Sequence, residues 1–339
     1  MVYVGVDLHR RVSQVSAIDE KGEVVLTRRI KTEPLEFLRV FGELEPGPMS
    51  VAFEATFGWG WFAELLKDAG VAAHMAHPRD TKAIANARVK NDAVDARTLA
   101  HLLRTELLPE AWMAPVDVRE ARRLVRMRGA LVRIRSRLKN QVHAVLADQG
   151  VLFPMSDVFG ALGREELARL QLPPLVQHRL EAHVRLIADI TNEVNIADHE
   201  IRGLFKNDSR RKRLQAIPGI GLLTAATVLA EVGDFARFPS ADHLCSWAGL
   251  TPKERSSADN VRRGRITKQG SRWLRWALVE AAVTAERNPD LRALYARIAA
   301  RGGRNGKSIA RVAVARRLLT LCFYAVRDEH GCRAFPVAS

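Results

Sequence analysis

No proline interrupts residues 116–149, and within them Leu124, Leu131, Leu138 and Val145 recur every seven residues, with Met127 and Ile134 at the companion positions. A second segment repeats the device, with Leu180, Ile187, Val194 and Ile201 as one series and Ile190, Ala197 and Leu204 as the other. Heptads sustained over this length predict two long helices forming a coiled-coil hairpin or an oligomerising arm, joined by the loop-rich stretch Gly150 to Pro174. At about 1.5 Å per residue the first helix alone reaches roughly 50 Å, too long to lie inside a small globular domain. The alternative, two ordinary helices packed on a globular core, fits less well because the faces opposite the stripes are heavily charged.

The residues before this arm read differently. Val2 to Leu8, Val12 to Ile18 and Glu23 to Ile30 have strand patterns, with a turn at Asp19-Glu20-Lys21-Gly22, and together predict a meander. A helix over Pro34 to Leu44 follows, then apolar strands at Met49 to Glu54 and Val71 to His77 around an amphipathic segment, Gly58 to Ala69, and a helix over 92–104. The order predicts an α/β domain over 1–115, followed by the coiled-coil region at 116–208. Residues 209–339 read as mainly α. There Ile217-Pro218-Gly219-Ile220-Gly221 precedes a helical stretch, and two further helices span roughly 271–286 and 307–327.

The chain of 339 residues carries a formal charge of +15, and its positive charge is concentrated. Windows 116–139, 253–275 and 301–317 carry net +7, +6 and +6, so the remainder is slightly acidic. Such clustering points to a polyanionic partner, most simply nucleic acid. No apolar run approaches the roughly 18 residues of a membrane span and the first residues lack a signal-peptide pattern, so no membrane partner and a cytoplasmic location are expected. Cys245, Cys322 and Cys332 lack metal-type spacing; Cys245 reads as a small buried hydrophobe.

Asp7 sits inside an apolar strand and Glu54 ends another, and an acid at the edge of a buried strand is costly without a partner. Asp92 and Asp95 are three apart on a predicted helix and share one face. If the two strands are neighbours and the helix packs across their ends, four carboxylates converge, a set of hard oxygen ligands suited to Mg²⁺ or Mn²⁺. Singly, each has a plainer reading: Asp7 as a turn or cap, Glu54 as an arginine partner, the helix acids as favoured by the dipole. His9 reads either as a contact to metal or substrate or as an exposed polar filler.

Gly5-Val6-Asp7-Leu8-His9, Phe53-Glu54-Ala55-Thr56 and Lys90-Asn91-Asp92-Ala93-Val94-Asp95-Ala96 are followed far downstream by Gly249-Leu250-Thr251-Pro252, a Ser-Ser pair and Gly264-Arg265-Ile266-Thr267-Lys268-Gln269-Gly270. The set resembles the DEDD-type insertion-sequence transposases and the Piv-like DNA invertases, over most of the chain. The resemblance implies a ribonuclease-H-like (RuvC-like) domain whose Asp7, Glu54, Asp92 and Asp95 hold divalent metal, a coiled-coil insertion, and a C-terminal domain supplying a nucleophilic serine. It further implies DNA recombination through a covalent phosphoserine and, for insertion-sequence members, a structured guide (bridge) RNA from the element. The serine falls at Ser257, with Ser256 as runner-up; Ala258 departs from the family's usual Ser-Gly. Because the acids lie in another domain, the serine is expected to reach them by domain or subunit docking, and the heptads suggest a homo-oligomer, a dimer or tetramer.

Residues 217–221 resemble a helix-hairpin-helix, in which Gly219 and Gly221 let backbone N–H groups approach a phosphate; the alternative is a packing turn. Arg255, Arg262, Arg263, Arg265, Lys268, Arg272 and Arg275 surround the serines and read as a DNA clamp. Trp273 and Trp276 read as core, and Arg119 to Lys139 as a further grip on nucleic acid. Three functions remain in play: a metal-dependent recombinase; a junction-resolving nuclease of Holliday-junction-resolvase type, using metal-activated water in place of the serine; and a non-catalytic nucleic-acid-binding scaffold.

Overall fold

A computed structural model describes residues 1–56, 58–84, 91–153, 155, 157–257 and 260–328, with backbone alone for 255–257 and 260–263. Lys90, Ala258 and Cys332 lie outside the described residues. The chain divides into two compact units, Met1–Met113 and Ala114–Ser339.

In the first unit Val2–Asp7 (β1) pairs antiparallel with Val12–Ile18 (β2), which pairs antiparallel with Val24–Lys31 (β3), the meander expected for residues 2–30. Pro34–Gly42 (α1) leads to Met49–Glu54 (β4), parallel to β1. Trp59–Asp68 (α2) leads to Ala72–Ala76 (β5), parallel to β4, so the sheet runs β3-β2-β1-β4-β5. The exposed edge strand β3 carries Arg28, Arg29 and Lys31, charges that discourage pairing with another chain. A short helix, Pro78–Ile84 (α3), was not expected from the sequence; Asp92–Arg104 (α4) was.

Alternation along the strands divides the sheet's two faces. Val4, Val6, Val51 and Phe53 bury one face against Phe37 of α1 and Phe62 of α2, whose ring centroids lie 4.7 Å apart. Gly5 and Ala52 are paired in register on the opposite face, where α4 crosses with Leu99 and Leu103. A Cβ on Gly5 would sit 1.8 Å from the Ala96 carbonyl oxygen and 2.7 Å from the Ala100 nitrogen. Hydrogen at that position is what lets the helix backbone rest on β1.

The second unit begins with Val116–Asp148 (α5), Ala161–Arg169 (α6) and Pro174–Leu204 (α7). Cross-helix contacts run in opposite order, Arg128 to Asp198 at 2.8 Å, Arg135 to Thr191 at 3.5 Å and Gln141 to His183 at 2.7 Å, so α5 and α7 are antiparallel. One end of the hairpin encloses Val142, Val145, Leu146, Leu180 and Leu167 of α6. At the other end Ala121, Val125, Ile201 and Phe205 join the core of the later helices. Those are Ser209–Gln215 (α8), Leu222–Val232 (α9), Ala241–Trp247 (α10), Arg272–Ala285 (α11), Pro289–Arg301 (α12) and Gly306–Arg327 (α13). Between α10 and α11, Pro252–Ser257 (β6) and Asn260–Ile266 (β7) form an antiparallel ribbon.

Of the expected α5 heptad, Leu124, Leu131 and Leu138 are half-buried and Val145 is buried, while the companion positions turn outward. Met127 and Ile134 are 47% and 50% exposed. The buried and half-buried row steps by four and three through Ala121, Val125, Arg128, Val132, Arg135, Lys139, Val142 and Leu146. Several arginines of this helix have internal partners in place of an outward role. Arg122 donates to the carbonyls of Ala230 and Glu231, Arg126 binds the Glu231 carboxylate through two bonds of 2.7 and 2.8 Å, and Arg133 lies 4.2 Å from the Trp273 ring centre. Glu231 is 1% exposed. Arg126→Ala should therefore destabilise the second unit by about 2–3 kcal/mol, read by urea melting, since it strands a buried carboxylate; the half-exposed guanidinium keeps the effect below the upper range for such pairs. Equal midpoints for variant and parent would contradict this role.

Cys245 and Cys322 are both buried, and burial pushes the Cys245 thiol up. Among the described residues no helix is long and apolar enough to cross a membrane.

Candidate active site

The same alternation that puts Gly5 beneath α4 puts Asp7, two residues on, on the α4 side, and Ala52 does likewise for Glu54. Both acids stand at the carboxyl ends of adjacent parallel strands, where α/β sheets bind their ligands. Beyond the last paired residues, Thr56 donates from Oγ1 to the Leu8 carbonyl at 3.0 Å and keeps the two strand ends together. Asn91 caps α4 by accepting from the Val94 N–H at 2.9 Å, so the first turn, with Asp92 and Asp95, is fixed at the same place.

The four acids line one cavity of about 330 Å³, with His9, Thr56, Thr81, Lys82 and Thr98. His9 Nε2 lies 3.1 Å from Asp7 Oδ2 and 3.9 Å from Asp92 Oδ1. Burial pushes the Asp7 carboxyl above the ordinary aspartate range; His9 pulls it back, and the neighbouring charges of Asp92 and Asp95 push it up. Asp7, His9 and Asp92 each offer a ligand atom within 4.8 Å of the others. Carboxylate oxygens crowded around Asp7 together with an imidazole fit a hard divalent cation, which would offset their repulsion. The sequence reading missed Thr81, Thr98 and Lys82. Thr81 and Lys82 belong to α3, whose only early signal was Pro78 at the first helical position.

The serines and basic residues belong to the second unit. On the β6–β7 ribbon Ser256 pairs with Val261 and Ser257 with Asn260 at the ribbon's end, two residues beyond the Arg255–Arg262 pair; Arg263 pairs with Glu254. Arg265, Lys268 and Arg272 are exposed, Lys268 with a φ of +57°. Arg275, by contrast, is tied internally. Its Nη1 donates to the carbonyls of Ala248 at 2.9 Å and Gly270 at 3.2 Å, and also to that of Gln269. Gly249 and Gly270 make this joint possible, since a Cβ on either would meet backbone at 2.3 or 2.1 Å.

Gly219, at φ +85°, would carry a Cβ 2.6 Å from the Ala281 carbonyl of α11, so it serves close packing. Gly221 is the exposed N-cap of α9, with open space around it. Trp273 packs against Gly129 of α5.

Residues 4–149 match a family described as Transposase, the DEDD domain of the IS110 type, and residues 211–296 match the Transposase IS116/IS110/IS902 family. The transposase of insertion sequence element IS1111A from Coxiella burnetii is 26% identical, covering 82% of this chain and 76% of its own. That of element IS1328 from Yersinia enterocolitica is also 26% identical, covering 82% of each. The pilin gene-inverting protein of Moraxella bovis is 31% identical over 41% of this chain and 45% of its own. The DEDD domain carries with it a ribonuclease-H-like fold and dependence on a divalent metal, in keeping with the mixed sheet and the clustered acids. The chain belongs to the IS110/IS116 family of DEDD transposases and is an enzyme of DNA strand cleavage and transfer.

Proposed function

We propose that this transposase cuts and rejoins DNA using Mg²⁺ or Mn²⁺ at Asp7, Glu54, Asp92 and Asp95 and a covalent intermediate on Ser257, with Ser256 as the alternative nucleophile. The observation that carries the reading is the convergence of the four acids on one cavity at the strand ends. When bound there, the cation neutralises charge developing at the scissile phosphate.

The remaining chemistry falls to the chain. The Ser257 Oγ attacks phosphorus, the P–O bond to one strand breaks, and the departing DNA hydroxyl takes up a proton. The phosphodiester is conserved as a serine ester, so no nucleotide cofactor is needed. A hydroxyl of the new partner strand then attacks the ester and returns the serine with its proton. The position of Ser257 at the ribbon's end supports it over Ser256, because positions two apart share a face and Ser257 therefore falls on the face of the Arg255–Arg262 pair. Arg265, Lys268 and Arg272 would hold the DNA backbone on the exposed loop and helix start, and the open N-cap at Gly221 suits a further phosphate contact.

In insertion-sequence fashion, a guide RNA would choose the sites and a homo-oligomer would hold two strands for exchange. With Mg²⁺ and labelled substrate, the wild type should yield a protein–DNA adduct on a denaturing gel, and Ser257→Ala should yield none. Cleavage persisting in Ser257→Ala and Ser256→Ala without an adduct would favour the junction-resolving nuclease instead. An RNA copurifying with the protein and complementary to the element's junctions tests the guide.

A further inference from the structure

The α5–α7 hairpin holds a second cavity, of about 400 Å³, with the opposite charge. Arg135 and Lys139 enter it from α5 and Arg164 from α6, and no carboxylate lines it among the described residues. Arg135 and Lys139 are neighbours in the heptad row that faces the partner helix, where charge costs stability. Arg128, one heptad before Arg135, resolves the same problem with Asp198 at 2.8 Å. Among the described residues Arg135 finds the Thr191 hydroxyl at 3.5 Å, and Lys139 the face of Phe159, its ammonium 4.6 Å from the ring centre. Two cations kept unneutralised in a seam that elsewhere supplies a counter-ion mark a place for an outside anion.

The rest of the lining narrows the anion. Phe159, Leu167 and Val184 give an apolar floor with one aromatic ring, and Asn192 and Asn195 stand at the exposed rim with amide donors and acceptors. A phosphate for the cations and, for the floor and the amides, a flat base with its hydrogen-bonding edge are both supplied by one nucleotide. The cavity has room for a single nucleotide and none for a base-paired duplex.

We propose that this cavity binds one unpaired nucleotide of a single-stranded nucleic acid, its phosphate between Arg135, Lys139 and Arg164. The proposal rests on the chain's work on nucleic acid but uses neither the acid cluster nor Ser257, so it is tested in EDTA, where the metal-centre reading has no influence. Fluorescence anisotropy of the full chain is measured with 20-nucleotide oligothymidylate, oligouridylate and a 20-base-pair duplex. The double variant R135Q/K139Q should weaken single-strand binding about tenfold and reduce the slope of log Kd against log salt by up to about 0.7, the share of the one phosphate they hold, leaving duplex binding unchanged. R164Q, on the exposed rim where folding is not at stake, should weaken single-strand binding about threefold by removing one of the three cations on that phosphate. The tighter of the two oligomers identifies the source as DNA or RNA. Unchanged single-strand affinity in R164Q, or equal losses for single strand and duplex, would overturn the proposal.

Discussion

Asp7→Asn is expected to lower strand cleavage by about 10³-fold or more while making the metal-free protein more stable, a pairing of effects that a structural aspartate would not give. The first half follows from position: Asp7 is the most buried of the four acids, beside His9 and within reach of Asp92. The second follows from the direction of its pKa. Because the folded value lies above the unfolded one, the folded state binds the extra proton in the window between them. Stability without metal is thus greatest below the ordinary aspartate pKa, declines as pH rises through that window, and stays reduced at neutral pH. Asparagine keeps the shape and removes the charge, so Tm in EDTA should rise by a few degrees and lose its dependence on pH across that window. A fall in Tm would show that the carboxylate stabilises the fold instead.

Gly5→Val should collapse the first unit. The Cβ at that position meets the Ala96 carbonyl oxygen at 1.8 Å, and the atom struck is backbone, so no rotamer relieves it. Either β1 or α4 must move, at a cost of about 3 kcal/mol or more, which in a unit of this size lowers Tm by roughly 10 °C or beyond. Moving α4 also carries Asp92 and Asp95 away from Asp7, so cleavage should vanish even where some fold remains. Ala96→Gly added to Gly5→Val should not rescue it, because it leaves the carbonyl in place. Rescue by that second change would mean that side-chain crowding, rather than helix-to-strand approach, sets the position of α4.

Much of this site was legible in the residues themselves. The apolar alternation of β1 and β4 fixes which side Asp7 and Glu54 face, and Asn91 with two following acids reads as a helix start. What the sequence did not disclose was the device that closes the cluster: Gly5 looks like one more strand residue until α4 is seen lying on it. The short helix α3 gives too few apolar positions for a periodic signal, so Lys82 and Thr81 went unnoticed.

The arm shows a different failure. Counting only apolar heptad positions selects the half-buried Leu124 but also the exposed Met127 and Ile134, and passes over Arg128, Arg135 and Lys139, which are half-buried in the seam. Arg122, Arg126 and Arg128 proved to be wiring, because their partners Ala230, Glu231 and Asp198 lie some 70 to 110 residues downstream, beyond any local pattern. Ser256 and Ser257 fall on opposite faces of the ribbon by strand register, which a lone Ser-Ser pair does not specify.

If the four acids form a divalent-cation site, the full chain must bind such a cation by itself. Titrating the full chain with Mn²⁺ under electron paramagnetic resonance, without DNA, should show binding that Mg²⁺ displaces. Asp7→Asn and Asp95→Asn should each weaken it about tenfold or more. Mn²⁺ affinity left unchanged in both variants would contradict the claim, whatever their effects on DNA.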